Sequence, residues 1–139
     1  MSSFDEESAR AYALDREGRE AEAVVHYELA WACGVPEASR RRFIVGFGST
    51  LRNVGRADEA VALYGDAIAA DPDYAPFRAF LALSLLDAGH PAAAVATMLG
   101  VALDVAPPGA LDGFERALTE YYEALLRDID VRAQVDKPA

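Results

Sequence analysis

Gly48–Tyr64, GSTLRNVGRADEAVALY, decides the fold, because its columns recur in Ala11–Tyr27, AYALDREGREAEAVVHY, and in Ala82–Met98, ALSLLDAGHPAAAVATM. Align the three on Gly18, Gly55 and Gly89. Seven residues earlier stand Ala11, Gly48 and Ala82, and four earlier stand Leu14, Leu51 and Leu85. Five later come Ala23, Ala60 and Ala94, and six later Val24, Val61 and Val95. Nine later come Tyr27, Tyr64 and Met98, and twelve later Ala30, Ala67 and Val101. Pro36, Pro72 and Pro107 close the three stretches.

These columns have a helical explanation. A glycine takes the left-handed backbone that ends one helix. A proline cannot continue the next helix, because it lacks the N–H and clashes with the preceding turn. The small columns let two antiparallel helices approach, and the Leu, Val and Tyr/Met columns fill the space between them. Sustained two-residue alternation is missing, so strands are not expected. The expected helices are 4–17, 20–33, 37–54, 57–70, 74–88, 91–104 and 110–132. Ser3 and Glu6 form a capping box for the first, and Pro91 suits the first position of the sixth. The three residues near Ala38 that lengthen the first glycine spacing to 37, against 34 for the second, extend the third helix back to Pro36. Phe114, Leu118, Tyr121, Leu125 and Ile129 make one stripe on the last helix, with Tyr122 and Leu126 on an adjacent face.

The pattern resembles the tetratricopeptide repeat, whose period is roughly 34 residues. The segment Gly48–Arg56 is also similar to a group of small bacterial proteins of that family. The resemblance implies an all-α fold: three helix-turn-helix repeats (about 4–37, 41–74 and 75–108) stacked as a short right-handed α-solenoid. A long C-terminal capping helix (110–132) lies on the third repeat, and 133–139 fray. Residues 1–139 form a single domain. The family's usual aromatic near the start of each unit is replaced by Glu7, Ile44 and Arg78, and Glu7 with Arg10 makes the first helix read as a polar cap.

At 139 residues, 53% of them hydrophobic, the chain has the material for a core. Its net charge of -10 argues against nucleic acid, since displacing phosphate counterions needs a basic face. The acidic start MSSFDEESAR lacks the basic and apolar regions of a secretory signal, and no run reaches membrane-span length. A cytoplasmic protein is expected. The single cysteine, Cys33, reads as a small buried hydrophobe. His26 shares a helix face with Cys33, but a closed zinc site wants four ligands. His90 reads as a helix cap. No metal, no cofactor and no catalytic constellation is expected.

Charge is unevenly spread. Residues 1–40 and 79–139 each carry nine acids and four bases, while 41–78 carry five of each. Ala38–Ala57 holds no acid, but contains Arg40, Arg41, Arg42, Arg52 and Arg56. If first helices line a concave surface, as the resemblance implies, this basic helix lies at its centre. Ile44, Phe47, Leu51 and Val54 would face inward to the core, leaving Arg42, Val45 or Gly46, Ser49, Arg52 or Asn53, and Arg56 on the groove. Small Gly46 and Ser49 would admit a ligand backbone, and Arg42 with Arg52 would hold a carboxylate. Neighbouring helices add Tyr12, Asp15 and Arg16 on one side and an apolar wall of Ala79, Leu83 and Leu86 on the other. The expected partner-binding set is Tyr12, Arg16, Arg42, Ser49, Arg52, Asn53 and Leu83, suited to an acidic-hydrophobic peptide. Alternatively the arginines pair with the acidic flanking units, through Glu17, Glu20 and Asp73. The Lys and Asn clamp of some family members is not reproduced, with Lys137 and Asn53 the only residues of those types. The expected function is a non-catalytic protein-interaction adaptor or scaffold. The alternative is a self-associating module, a homodimer through the C-terminal helix or the groove.

Overall fold

The computed structural model describes residues 2–135, and among them every regular element is a helix. They are α1 (Phe4–Arg16), α2 (Glu20–Ala32), α3 (Arg40–Asn53), α4 (Ala57–Ala70), α5 (Ala75–Asp87), α6 (Pro91–Val105) and α7 (Glu115–Val135). No helix of the described residues is long and apolar enough to cross a membrane.

The turn glycines do what their column demands. Gly18, Gly55 and Gly89 have φ of 75°, 85° and 89°. Across each, the following N–H reaches back to the column leucine's carbonyl: Arg19 to Leu14 at 2.9 Å, Arg56 to Leu51 at 2.8 Å and His90 to Leu85 at 2.8 Å. This six-residue closure satisfies a carbonyl that the helix end leaves orphaned, so the same three hairpins form: α1/α2, α3/α4 and α5/α6. At the other end of the chain, the Ser3 hydroxyl accepts from the Glu6 N–H at 3.2 Å, as a cap should.

The hairpins stack in chain order. α3 packs on α1 and α2, α5 on α3 and α4, and α7 on α6. The small columns sit at the crossings: Ala11, Ala23, Ala30, Ala60 and Ala67 are buried. Aromatic rings fill the space between hairpins, with Tyr27 stacked on Phe47 at 5.7 Å and Phe4 edge-on to Phe43 at 5.2 Å. Gly48 admits Tyr64 so closely that a Cβ would lie 2.3 Å from the ring.

Four local expectations are corrected. Glu37–Ser39 form a separate 3-10 turn, and α3 begins at Arg40 rather than reaching back to Pro36. The last helix starts at Glu115, because Gly109, Asp112 and Gly113 take positive φ and turn the chain before it. On α7 up to Asp130 the half-buried residues are Leu118, Tyr122, Ala124, Leu125 and Ile129, while Tyr121, and Phe114 just before the helix, are exposed. Tyr122 rests on Gly100 of α6, where a Cβ would lie 3.2 Å away; both Tyr121 and Tyr122 fit the spacing, and the gap at Gly100 selects between them. Cys33 is exposed, its thiol directed at the Ser2 carbonyl at 3.3 Å. Of the tail expected over 133–139, residues 133–135 continue α7, and 136–139 lie outside the described residues.

Candidate functional site

α1, α3 and α5 lie side by side and present one continuous face. At its α1 end is an open hollow of about 420 Å³ walled by Tyr12, Asp15, Arg16, Tyr27, Arg42, Val45 and Gly46. The floor is fixed by hydrogen bonds. The Tyr27 hydroxyl donates to Asp15 Oδ2 at 2.8 Å, and Thr50 Oγ1 donates to the same oxygen at 3.2 Å. Burial, then the bond to Asp15, raises the Tyr27 phenol well above its ordinary value, so it stays a donor. Burial also raises Tyr12, against the opposing charge of Arg42.

Gly46 does not leave room for a ligand backbone as its size suggested. A Cβ there would lie 2.8 Å from the Tyr27 hydroxyl, so the space belongs to Tyr27. Arg42 is exposed and leans over the Tyr12 ring, its guanidinium carbon 5.6 Å from the ring centre. Among the described residues, neither Arg42 nor Arg16 has a carboxylate within ion-pair distance.

Three other arginines of the basic stretch have carboxylate partners, whereas Arg40, at the start of α3, has none within ion-pair distance among the described residues. Arg52 binds Asp87 of α5 at 3.0 Å. Arg41 holds Asp71 through both Nε and Nη2, at 2.7 and 2.9 Å, with its guanidinium 4.5 Å over the Tyr74 ring. Arg56 bridges Glu28 of the first hairpin at 2.6 Å to Glu59 of its own. Asn53 donates to Glu20 at 3.0 Å. Arg52, Asn53 and Arg56 reach the acidic flanking units, whereas Arg41–Asp71 lies within the second unit and Glu17 pairs with Arg19 inside the first; Glu20 goes to Asn53, and Asp71 takes Arg41 in place of Asp73. Arg41 holds its partner Asp71 below the ordinary carboxylate value.

The expected residues therefore divide. Tyr12, Arg16 and Arg42 converge on the hollow. Ser49 and Arg52 are half-buried about two and about three turns beyond Arg42 on α3, and Asn53 is exposed at its end. Leu83 and Leu86 are exposed on α5, at the opposite end of the face.

One polar pair escaped the sequence reading. Glu7 is buried in α1, with Oε2 2.6 Å from His26 Nδ1 of α2. The signal was in the alignment: Glu7 shares a column with Ile44, which is fully buried, so the column faces inward. His26 is thus spent on Glu7. His90 occupies the N-cap position of α6 without a side-chain cap bond. Among the described residues no three of His, Cys, Asp or Glu gather as metal ligands would.

A family model described as tetratrico peptide repeat matches residues 5–125. Comparison with curated proteins and with solved structures finds no match.

Proposed function

The chain belongs to the tetratricopeptide repeat family, whose members are generally protein–protein interaction modules, and from that premise we propose that it is a non-catalytic adaptor. It holds an acidic segment of a partner protein across the face of α1, α3 and α5. The observation that carries this reading is selective pairing. In a chain of net charge -10, Arg41, Arg52 and Arg56 are matched to carboxylates. Arg16, Arg40 and Arg42 have no such partner among the described residues, and of these Arg16 and Arg42 meet at a hollow with an aromatic floor. Asp15, the carboxylate of this hollow, accepts from Tyr27 and Thr50; guanidinium groups without a carboxylate in ion-pair distance favour an anionic ligand, and their planar donors suit a carboxylate.

The rest of the face fits such a segment. Ser49 and Asn53 offer hydrogen bonds along its middle. Leu83, beside Leu86, receives apolar side chains at the far end. An acidic, extended segment with apolar residues at one end is the matching ligand.

The test is titration of the protein with acidic-apolar peptides and with basic ones of equal length. Binding confined to the acidic series, weakened by added salt and removed by R16E/R42E, supports the reading. Equal binding of both series contradicts it.

A further inference from the structure

The third hairpin lacks the cover that the first two receive. Val24 is 7% exposed and Tyr27 1%, because α3 lies over them, and Tyr64 is 0% exposed beneath α5. Their counterparts on α6, Val95 and Met98, are 59% and 40% exposed. α7 packs on α6 without reaching α5. An apolar hollow of about 220 Å³ stays open between α5 and α6, edged by Leu83, Leu86, Val95 and Met98. By repeat equivalence, the cover it lacks is a helix.

We propose that a second copy of this chain supplies that helix, and that it is α6 itself, packed antiparallel across a twofold axis. Two observations select this occupant. The first is charge. Between Asp87 and Asp104 the chain carries no Asp, Glu, Lys or Arg. Two molecules of net charge -10 repel wherever their acids meet, and this surface brings none together.

The second is spacing. The exposed stripe of α6 is Val95, Met98, Ala102 and Val105, at intervals of three, four and three. That interval order reads the same in both directions. In an antiparallel pair centred near Gly100, Val95 of one copy meets Val105 of the other, and Met98 meets Ala102. A medium side chain faces a medium one and a long one faces a short one, so the seam fills evenly. A twofold contact requires such self-complementarity, and the three-four alternation is the spacing with which helix pairs mesh. Leu83 and Leu86 border both this surface and the face of α1, α3 and α5, while Arg16 and Arg42 lie at the opposite end of that face.

The experiment has two arms. Sedimentation over a range of concentrations should show a dimer for the chain and a monomer for V95E/M98E, with unchanged helical circular dichroism. The second arm places cysteines in a C33S background. A mixture of V95C and V105C chains should cross-link on mild oxidation, and neither alone should. Like positions in the antiparallel pair stand about 15 Å apart along the axis, at a rise of about 1.5 Å per residue, whereas a disulfide needs Cα atoms within about 7 Å. A chain that sediments as a monomer throughout overturns the proposal, whatever else fills the hollow. So does a dimer that survives V95E/M98E, or V95C cross-linking alone as readily as the mixture. None of these substitutions touches Arg16 or Arg42, so failure here leaves peptide binding to be judged separately.

Discussion

The Tyr64 ring occupies the space that a side chain at Gly48 would need, with a Cβ there falling 2.3 Å from Cζ and 2.5 Å from the hydroxyl. That hydroxyl donates to the Val45 carbonyl at 2.8 Å, and the ring is fully buried. The two residues fix how closely α3 and α4 approach.

Gly48→Ala should therefore destabilise the fold. Forcing a methyl into a packed core costs about 1–3 kcal/mol, and the anchored ring cannot swing away. Gly65 of α4 is the control, since a Cβ there meets nothing within 4 Å. Gly65→Ala should stabilise by about 0.5–1 kcal/mol, through helix propensity alone. Chemical denaturation of both variants checks the pair; similar midpoints for the two would contradict this account of the contact.

Acid stability should depend on Glu7. The Ser2 hydroxyl and the His26 ring hold its carboxyl below the ordinary value of 4.5. A carboxyl whose folded pKa lies below its unfolded pKa adds stability that is complete above the unfolded value. That stability drains away as pH falls through the folded one. Loss should therefore begin near pH 4.5 and deepen below it. Glu7→Gln should flatten this part of the profile, while Asp71 and Glu59, also lowered by their arginines, keep a residual slope. Thermal melts across this range check it, and an unchanged slope in Glu7→Gln would count against the assignment.

Arg52 and Asp87 join the second hairpin to the third, but each keeps part of its surface in water. Screening limits such pairs to about 0.2–1 kcal/mol. A double-mutant cycle of Arg52→Ala and Asp87→Ala should return a coupling in that range. A coupling several times larger would make this ion pair, rather than the aromatic packing, a principal tie of the stack.

What the sequence disclosed follows from the range over which each signal acts. The turn glycines, column leucines and column alanines interact within a hairpin, so their spacing is printed in the chain. Gly18, Leu14 and Ala23 behave as their positions require. The capping box at Ser3 is equally local. Contacts between hairpins depend on register, which spacing does not carry. The bond between Glu7 and His26, the Tyr27 hydroxyl above Gly46 and the choice of Asp71 for Arg41 all belong to this class. The start of α7 was misjudged for a different reason: Asp112 adopts a left-handed backbone that its residue type only weakly announces. Of the candidate site, Tyr12, Arg16 and Arg42 were legible as a cluster because repeat equivalence puts them on neighbouring first helices. That Arg52 is engaged by Asp87 needed the fold.

The most direct test of the binding face is a random-peptide display selection on three proteins in parallel: the unmodified chain, R16E/R42E and R41E. Arg41 already holds Asp71, so its reversal serves as a control for charge change away from the hollow. The unmodified chain and R41E should both enrich peptides with Asp or Glu at one end and large apolar residues at the other. R16E/R42E should bind the enriched peptides at least about tenfold more weakly, a loss of about 1.4 kcal/mol or more. Enrichment of peptides without acids, or equal retention of the acidic set by R16E/R42E, would contradict the claim that these two arginines receive the partner.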